Sequence, residues 1–389
     1  MPPSDTAIDP AIDPSLDTDV EADPHDDIAD PVAAARAAHL RYVSDAKPGY
    51  TRVPAEDGHG WTFLDTKARP IADEKTIARI KKLAIPPAYT DVWICKDPNG
   101  HLQAVGRDAR GRKQYRYHAR WRTVRDEAKF NKMLVFSRVL PSIRDRVKHD
   151  LGLPGLPKRR VVAAVVALLD KTMMRIGNEE YARTNQSYGL TTLRHQHAHV
   201  KGTHVMLDFR GKHGVEHHID LQDRRLAGIV GKLEELRGQD LFQFVDEHGQ
   251  THGIGSDDVN DYLHEVSGEE ITAKDFRTWA GTKLAAQMLS ALERWDTEAK
   301  NKKEIVRAVE AVAKQLGNTP AICRKCYVHP AVLEGYLDGS LLESLKAQTD
   351  EILDHPHSGL TAEEVAVTAF LSRRLGEAIK SPEHTLEPT

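Results

Sequence analysis

Long apolar runs are missing from this 389-residue chain. None approaches the ~18 residues that read as a membrane span, so no membrane-crossing helix is expected. The longest candidate, 161–169, ends at Asp170-Lys171 and reads as a buried core helix. Cysteine is scarce. Cys95, Cys323 and Cys326 are too few for a disulfide framework and fit a reducing cytoplasm, which is the expected location. The N-terminus lacks a basic segment followed by an apolar one, so it does not read as a secretory signal. A phosphate-cradling P-loop and an evident acidic metal cluster are also missing. Lysine and arginine are absent from residues 1–30, which hold ten of the 58 acids. The net charge of −4 therefore hides a remainder with six more bases than acids. Such a body suits a polyanion if its cations gather on one face.

Residues 1–30 repeat Asp-Pro units and hold almost no large apolar side chains. They cannot bury enough surface to offset ordering entropy, so a disordered acidic tail is expected. It reads as a solubilising tail, with competition for the basic face as the alternative. A short helix over 31–42 opens the N-terminal domain, 31–118, whose main part is β-rich. Trp61-Thr62-Phe63-Leu64-Asp65 reads as a strand. Asp97-Pro98-Asn99-Gly100 is a hairpin turn between strands at 92–95 and 101–106. A helix over 74–83 stops at Pro86-Pro87.

From residue 119 to 389 the pattern is mainly helical. The apolar stretch 161–174 predicts a central helix. Strands at 205–210 and 215–221 flank the turn Gly211-Lys212-His213-Gly214, and a third is expected at 195–200. Further helices are expected from Arg224 and over 257–265. Thr272, with Asp275 three residues on, predicts a capping box on a helix running to 292. A helix over 302–316 closes at Gly317. Thr319-Pro320 then opens a short helix that Pro330 limits, which places Tyr327 near its end.

Several residues suggest chemistry. Arg112-Lys113-Gln114-Tyr115-Arg116-Tyr117 alternates cations and aromatics. On a strand, Lys113, Tyr115 and Tyr117 share one face, with Gln114 and Arg116 on the other. Cations, an amide and phenols in that pattern suit phosphate and base-edge contacts; a solvated edge strand is the competing reading. Arg175 follows the apolar helix within Arg175-Ile176-Gly177-Asn178, placed to clamp a phosphate or else paired with Glu179 or Glu180. Lys212 sits at a hairpin tip, either solvated or able to reach a groove and donate a proton. Arg277, in Lys274-Asp275-Phe276-Arg277-Thr278-Trp279, lies off the apolar stripe; by itself it reads as a surface arginine, with a cleft-facing position as the alternative. Tyr327 follows Arg324 and Lys325. Cys323 and Cys326 have CxxC spacing without a second ligand pair, and zinc is not expected there. His195, His197 and His199 would share a strand face, read as polar packing or phosphate contact rather than a metal site.

Taken in order, Arg175-Ile176-Gly177-Asn178, the Gly211–Gly214 turn, the Lys274–Trp279 segment and Gly317-Asn318-Thr319-Pro320 leading to Tyr327 form a set. Over about residues 35–375 the chain resembles the type IB DNA topoisomerases, in particular their poxvirus-like bacterial group. The resemblance implies an α+β fold. A small β-rich DNA-binding domain would join a mostly helical breaking-rejoining domain with a three-stranded sheet, forming a C-shaped clamp around duplex DNA. It implies relaxation of positive and negative supercoils by a monomer, through single-strand cleavage, rotation and religation. Tyr327 would attack a phosphodiester to give a 3′-phosphotyrosyl link. Arg175 and Arg277 would hold the nonbridging oxygens, and Lys212 would protonate the leaving 5′-oxygen. Asn318 stands where many relatives carry a histidine; its amide can donate a hydrogen bond but cannot hold a proton. Neither ATP nor a divalent metal is implied. The segment 112–117 would be the DNA-facing strand. A tyrosine recombinase shares this chemistry, but its core-binding domain would be helical. A non-catalytic duplex clamp would not need the set Arg175, Lys212, Arg277 and Tyr327.

Overall fold

A computed structural model describes residues 31–56, 60–109, 111–292, 295, 297–346 and 359–376. The acidic segment 1–30 lies outside these residues. The chain forms two compact units, 1–132 and 133–389.

In the first unit, α1 (Pro31–Ala37) ends five residues before the expected boundary. Its last turn gives way to His39, which has a positive φ of 55°. Strands β1 (Thr51–Pro54) and β2 (Trp61–Leu64) pair antiparallel. Helix α2 (Glu74–Lys82) starts where Asp73 accepts the Thr76 N–H at 2.8 Å. Strands β3 (Thr90–Ile94), β4 (Leu102–Arg107) and β5 (Lys113–Tyr117) form an antiparallel sheet in that order, so β5 is an edge. Ile80 of α2 packs with Val92, Ile94 and Ala104 as the unit's apolar core. Trp121, fully buried, belongs to a second cluster with Ala35 and Leu40. It lies in the first turn of α3 (Ala119–Asp150), inside which the division between the units falls.

The second unit is built around α4 (Lys158–Thr172), whose residues 161–169 are all buried. A helix apolar all round needs neighbours all round; α4 packs against the helices Ser256–Ser267 and Ala273–Ser290 and the strand Gln243–Val245. Helix α5 (Glu179–Asn185) follows, capped by Asn178, which accepts the Tyr181 N–H at 3.1 Å. Strands β6 (Ala198–Lys201), β7 (His204–Arg210) and β8 (Glu216–Gln222) form the expected three-stranded antiparallel sheet. On β7, Val205, Leu207 and Phe209 alternate inward, and α6 (Arg224–Glu234) packs against β6 and β7.

Strands β9 (Gln243–Val245) and β10 (Thr251–Gly253) form a hairpin between helices. Asp246 makes its turn, accepting the N–H groups of His248 and Gln250. Then come α7 (Ser256–Ser267), α8 (Ala273–Ser290), α9 (Glu298–Leu316), α10 (Pro320–Cys326), α11 (Pro330–Asp338) and α12 (Ala362–Arg374). The α8 capping box forms as expected: Asp275 accepts the Thr272 N–H at 2.8 Å. Gly317 ends α9 in the left-handed region at φ 62°. The fold is mixed α+β. No helix of the described residues is long and apolar enough to cross a membrane.

One expected strand is corrected. Residues His195–His197 form a 3₁₀ turn, and β6 begins only at Ala198. The His197 ring causes the difference: its Nδ1 accepts the Arg194 N–H at 3.0 Å, closing a turn that a strand would open. The three histidines therefore do not share a strand face.

Candidate active site

Arg175 sits just past α4. Met173 ends that helix in the left-handed region at φ 58°, turning the chain sharply. The Arg175 and Ile176 carbonyls accept the Leu190 and Thr191 N–H groups at 2.9 and 2.6 Å. Gly177, at φ 112°, passes against Gly189, where a Cβ would stand 2.5 Å from the Gly177 nitrogen. The loop is thus held on both sides, and glycine is required at the crossing. The guanidinium it presents does not pair with Glu179 or Glu180. It donates to the Tyr327 hydroxyl at 3.4 Å and, through a short hydrogen bond, to Asn318 Oδ1.

Arg277 is not the surface arginine that its own helix suggests. It is only 5% exposed, because α8 is buried on nearly all sides from Ala273 to Thr282. One terminal nitrogen donates to the Met173 carbonyl through a short hydrogen bond, the other to the Leu316 carbonyl at 2.7 Å. Met173 caps α4 and Leu316 is the last residue of α9. A cation between two helix C-termini satisfies carbonyls that lack intrahelical donors and meets the negative ends of both dipoles. Its Nε has no hydrogen-bond partner among the described residues. Burial lowers its pKa to about 10, which still leaves it charged at neutral pH.

Asn318 follows Gly317, and its N–H returns to the Ala313 carbonyl at 2.9 Å. Thr319 then caps α10, accepting the Ile322 N–H at 3.3 Å. Tyr327 is the C-cap of this short helix and is 9% exposed. Arg324 and Lys325, its neighbours in sequence, are exposed; the cations that meet the phenol come from far away in the chain. The Arg277 guanidinium carbon lies 5.2 Å from the ring centroid. Burial pushes the phenol's pKa up, but the charges of Arg175 and Arg277 outweigh it and bring it below the ordinary tyrosine value.

Two residues that the sequence did not single out hold Tyr327 in place. Gly281 stands one helical turn after Arg277, and a Cβ there would come 2.5 Å from the Tyr327 carbonyl oxygen. Thr282 donates its hydroxyl to that oxygen at 3.2 Å and accepts the His329 N–H at 2.9 Å. A glycine inside a helix was the available signal, since it costs stability unless something packs closely there.

Lys212 lies on a 3₁₀ turn between β7 and β8. Gly211 N–H bonds to the Val215 carbonyl at 2.7 Å, closing the turn. The Lys212 ammonium stands 5.9 Å from the Tyr181 ring centroid, and among the described residues no hydrogen bond joins it to Tyr327. Four of the five candidates, Arg175, Arg277, Asn318 and Tyr327, therefore form one connected group, with Lys212 on the neighbouring hairpin.

In the first unit, the face alternation of β5 appears as expected. The Lys113 ammonium is 5.4 Å from the Tyr115 centroid, and the Tyr115 and Tyr117 rings stack at 6.0 Å. Several of these polar groups are already engaged. Lys113 pairs with Asp45 at 2.6 Å and Arg112 with Asp108 at 2.8 Å. Gln114 is 5% exposed and donates to Asp108 at 3.2 Å, and Arg116 donates to the Ala84 carbonyl at 3.2 Å. Cys323 is buried and Cys326 partly so, both as free thiols. Among the described residues, no three His, Cys, Asp or Glu side chains are placed to hold a metal ion.

Comparison with known proteins gives the family. Residues 118–354, more than half of the chain, match the family model "Eukaryotic DNA topoisomerase I, catalytic core". Residues 60–108 match "Bacterial DNA topoisomerase IB, N-terminal domain". The DNA topoisomerase 1B of Acanthamoeba polyphaga mimivirus is 35% identical over 269 residues, covering 67% of this chain and 80% of that protein. The DNA topoisomerase 1B of vaccinia virus (strain Copenhagen) is 23% identical over 310 residues, 76% of this chain and 93% of that protein. The DNA topoisomerase 1 of rabbit fibroma virus (strain Kasza) is 25% identical over 288 residues. By the family match and the mimivirus relative, the chain belongs to the type IB DNA topoisomerases.

Proposed function

We propose that this chain relaxes positively and negatively supercoiled duplex DNA by cutting one strand, letting it rotate and resealing it. The observation that carries the reading is the group around the Tyr327 hydroxyl, where Arg175 donates to the oxygen and Arg277 lies against the ring. The phenol oxygen attacks the phosphorus of a phosphodiester, and its proton passes to solvent water as the new bond forms. The bond to the 5′-oxygen breaks, and that oxygen leaves with the electron pair. Lys212 supplies its proton, since an alkoxide leaves poorly unprotonated. The two guanidiniums balance the negative charge on the nonbridging oxygens, a service fixed cations perform best in a water-poor site. Asn318 takes part through its amide and moves no proton. Religation is the same path reversed, because the 3′-phosphotyrosyl link retains the energy of the broken bond. Neither ATP nor a divalent cation has a step in this scheme.

The reading extends to the whole chain. Residues 31–118 would serve as the DNA-binding domain, with β5 toward the duplex, and 119–389 as the breaking-rejoining domain. One copy would close around one duplex as a clamp, in the cytoplasm and associated with the nucleoid. Plasmid relaxation in EDTA without ATP tests the scheme. The wild-type chain should relax both supercoil signs and leave a denaturant-resistant protein–DNA adduct. Tyr327→Phe should abolish both while still binding duplex DNA. Normal relaxation by that variant would remove Tyr327 as the nucleophile.

A further inference from the structure

His217, on β8, meets the two turns that present Lys212 and Asn318. A Cβ at Gly211 would come within 2.6 Å of the His217 Cδ2 and Nε2 atoms. One at Gly317 would come within 2.9 Å of its Cε1. The outer edge of the ring thus occupies the space that both glycines leave open. Its face stacks on Phe209, with centroids 4.9 Å apart and planes 11° from parallel. Gly211 immediately precedes Lys212, and Gly317 immediately precedes Asn318.

Beyond the ring, the hairpin tip reaches outward through Val215, whose Cγ1 is 3.9 Å from a Cβ placed at Gly317, and through Lys212 beside Tyr181. Its backbone hydrogen bonds, Gly211 to Val215 and Gly214 to Gly211, are internal. Neither nitrogen of His217 has a hydrogen-bond partner among the described residues. Burial, then the charges of Arg277 and Arg175, hold the ring toward its neutral form. What the ring supplies is therefore shape: a flat wedge between two glycine turns.

We propose that His217 is a positioning residue for strand cleavage, a wedge that sets the Lys212 turn against the Gly317-Asn318 turn. The proposal rests on the reading of Lys212 as the acid for the 5′-oxygen. Without the ring, the tip loses its closest packing against Gly317, and the ammonium loses its aim. A displacement of about 1 Å at a reacting group costs on the order of 100-fold in rate.

The leaving group provides the test. Single-turnover cleavage by the full chain is measured on a duplex with the ordinary bridging 5′-oxygen and on one with sulfur in its place. A thiolate departs without needing a proton, so an enzyme impaired only in proton delivery recovers on sulfur. Lys212→Ala and His217→Ala should both be slow on oxygen, the latter by roughly 10- to 100-fold, and both should approach the wild-type rate on sulfur. His217→Phe, a flat ring without nitrogens, should recover most of the oxygen rate. His217→Ala equally slow on both duplexes, or unimpaired on both, overturns the proposal. So does a His217→Phe as slow as the alanine variant, which would assign the work to a ring nitrogen. A Lys212→Ala that stays slow on sulfur overturns the acid assignment and, with it, the proposal built on it. If His217→Ala does not fold, judged by thermal melting, His217→Leu takes its place, because it keeps apolar volume but not the flat edge.

Discussion

Gly281 admits the backbone of Tyr327: a Cβ on this residue of α8 would lie 2.5 Å from the tyrosine carbonyl oxygen and 2.9 Å from its Cβ. The same helix supplies Arg277 one turn earlier and Thr282 one residue later, whose hydroxyl donates to that carbonyl at 3.2 Å. Cation, close approach and tether therefore come from one rigid element. Groups carried on such an element hold their mutual geometry better than groups on separate loops.

Gly281→Ala should consequently disturb the nucleophile. Alanine favours the helix by ~1 kcal/mol over glycine, while overpacking at the contact costs about 1–3 kcal/mol. The net loss of stability should be about 0–2 kcal/mol. A methyl that pushes the Tyr327 backbone should slow single-turnover cleavage by about 100-fold with duplex affinity unchanged. A cleavage rate within twofold of wild type would show that this contact does not set the tyrosine's position.

Tyr327 should titrate below an ordinary tyrosine, because the charges of Arg175 and Arg277 outweigh the effect of burial. Removing one charge should raise the value, so Arg175→Ala should titrate at higher pH than the wild type. Tyrosine labelled at its ring hydroxyl carbon reports this by NMR, with Tyr327→Phe identifying the signal. A Tyr327 signal in the wild type that titrates at or above the other tyrosines contradicts the electrostatic account.

Glu364, on α12, predicts part of the acid sensitivity. Its side chain has no exposure and takes hydrogen bonds from Arg144 at 2.7 and 2.9 Å and from Lys283 at 3.0 Å. Burial alone would raise its pKa, but these partners bring it down to about 2. A carboxylate depressed on folding stabilises fully above its unfolded pKa of ~4.3 and loses that contribution as pH falls through the folded value. Glu364→Gln should cost about 3 kcal/mol at pH 7, as when one partner of a buried ionic group is removed. It should also flatten the decline in stability between about pH 4.3 and 2. Denaturant unfolding across that range measures both, and parallel curves for the two proteins would remove Glu364 from the acid transition.

Local signals in the sequence transferred well to the structure. The Thr272–Asp275 capping box, Gly317 as the end of α9 and Thr319-Pro320 as the start of α10 all depend on neighbours within four residues. The apolar continuity of 161–169 likewise announced a helix buried on every side. The histidine triplet at 195–199 misled for a local reason too: alternation predicts a strand, but an imidazole that accepts a nearby N–H closes a turn instead.

What the sequence determined by itself was the inventory and its order: Arg175, Lys212, Arg277, Asn318 and Tyr327, each at the end or start of an element that capping residues delimit. Only the tertiary structure decided what each side chain meets. The cations beside Tyr327 in sequence lie at exposed positions, whereas those 152 and 50 positions upstream reach it. Arg277, which looks like a surface residue on its own helix, is buried because two other helices end against it. Gly281 and His217 matter through what fits beside them. Capping is set by bonds a few residues long, and a sequence displays it. Burial and close approach depend on elements folded back from far along the chain, and no local pattern encodes that return.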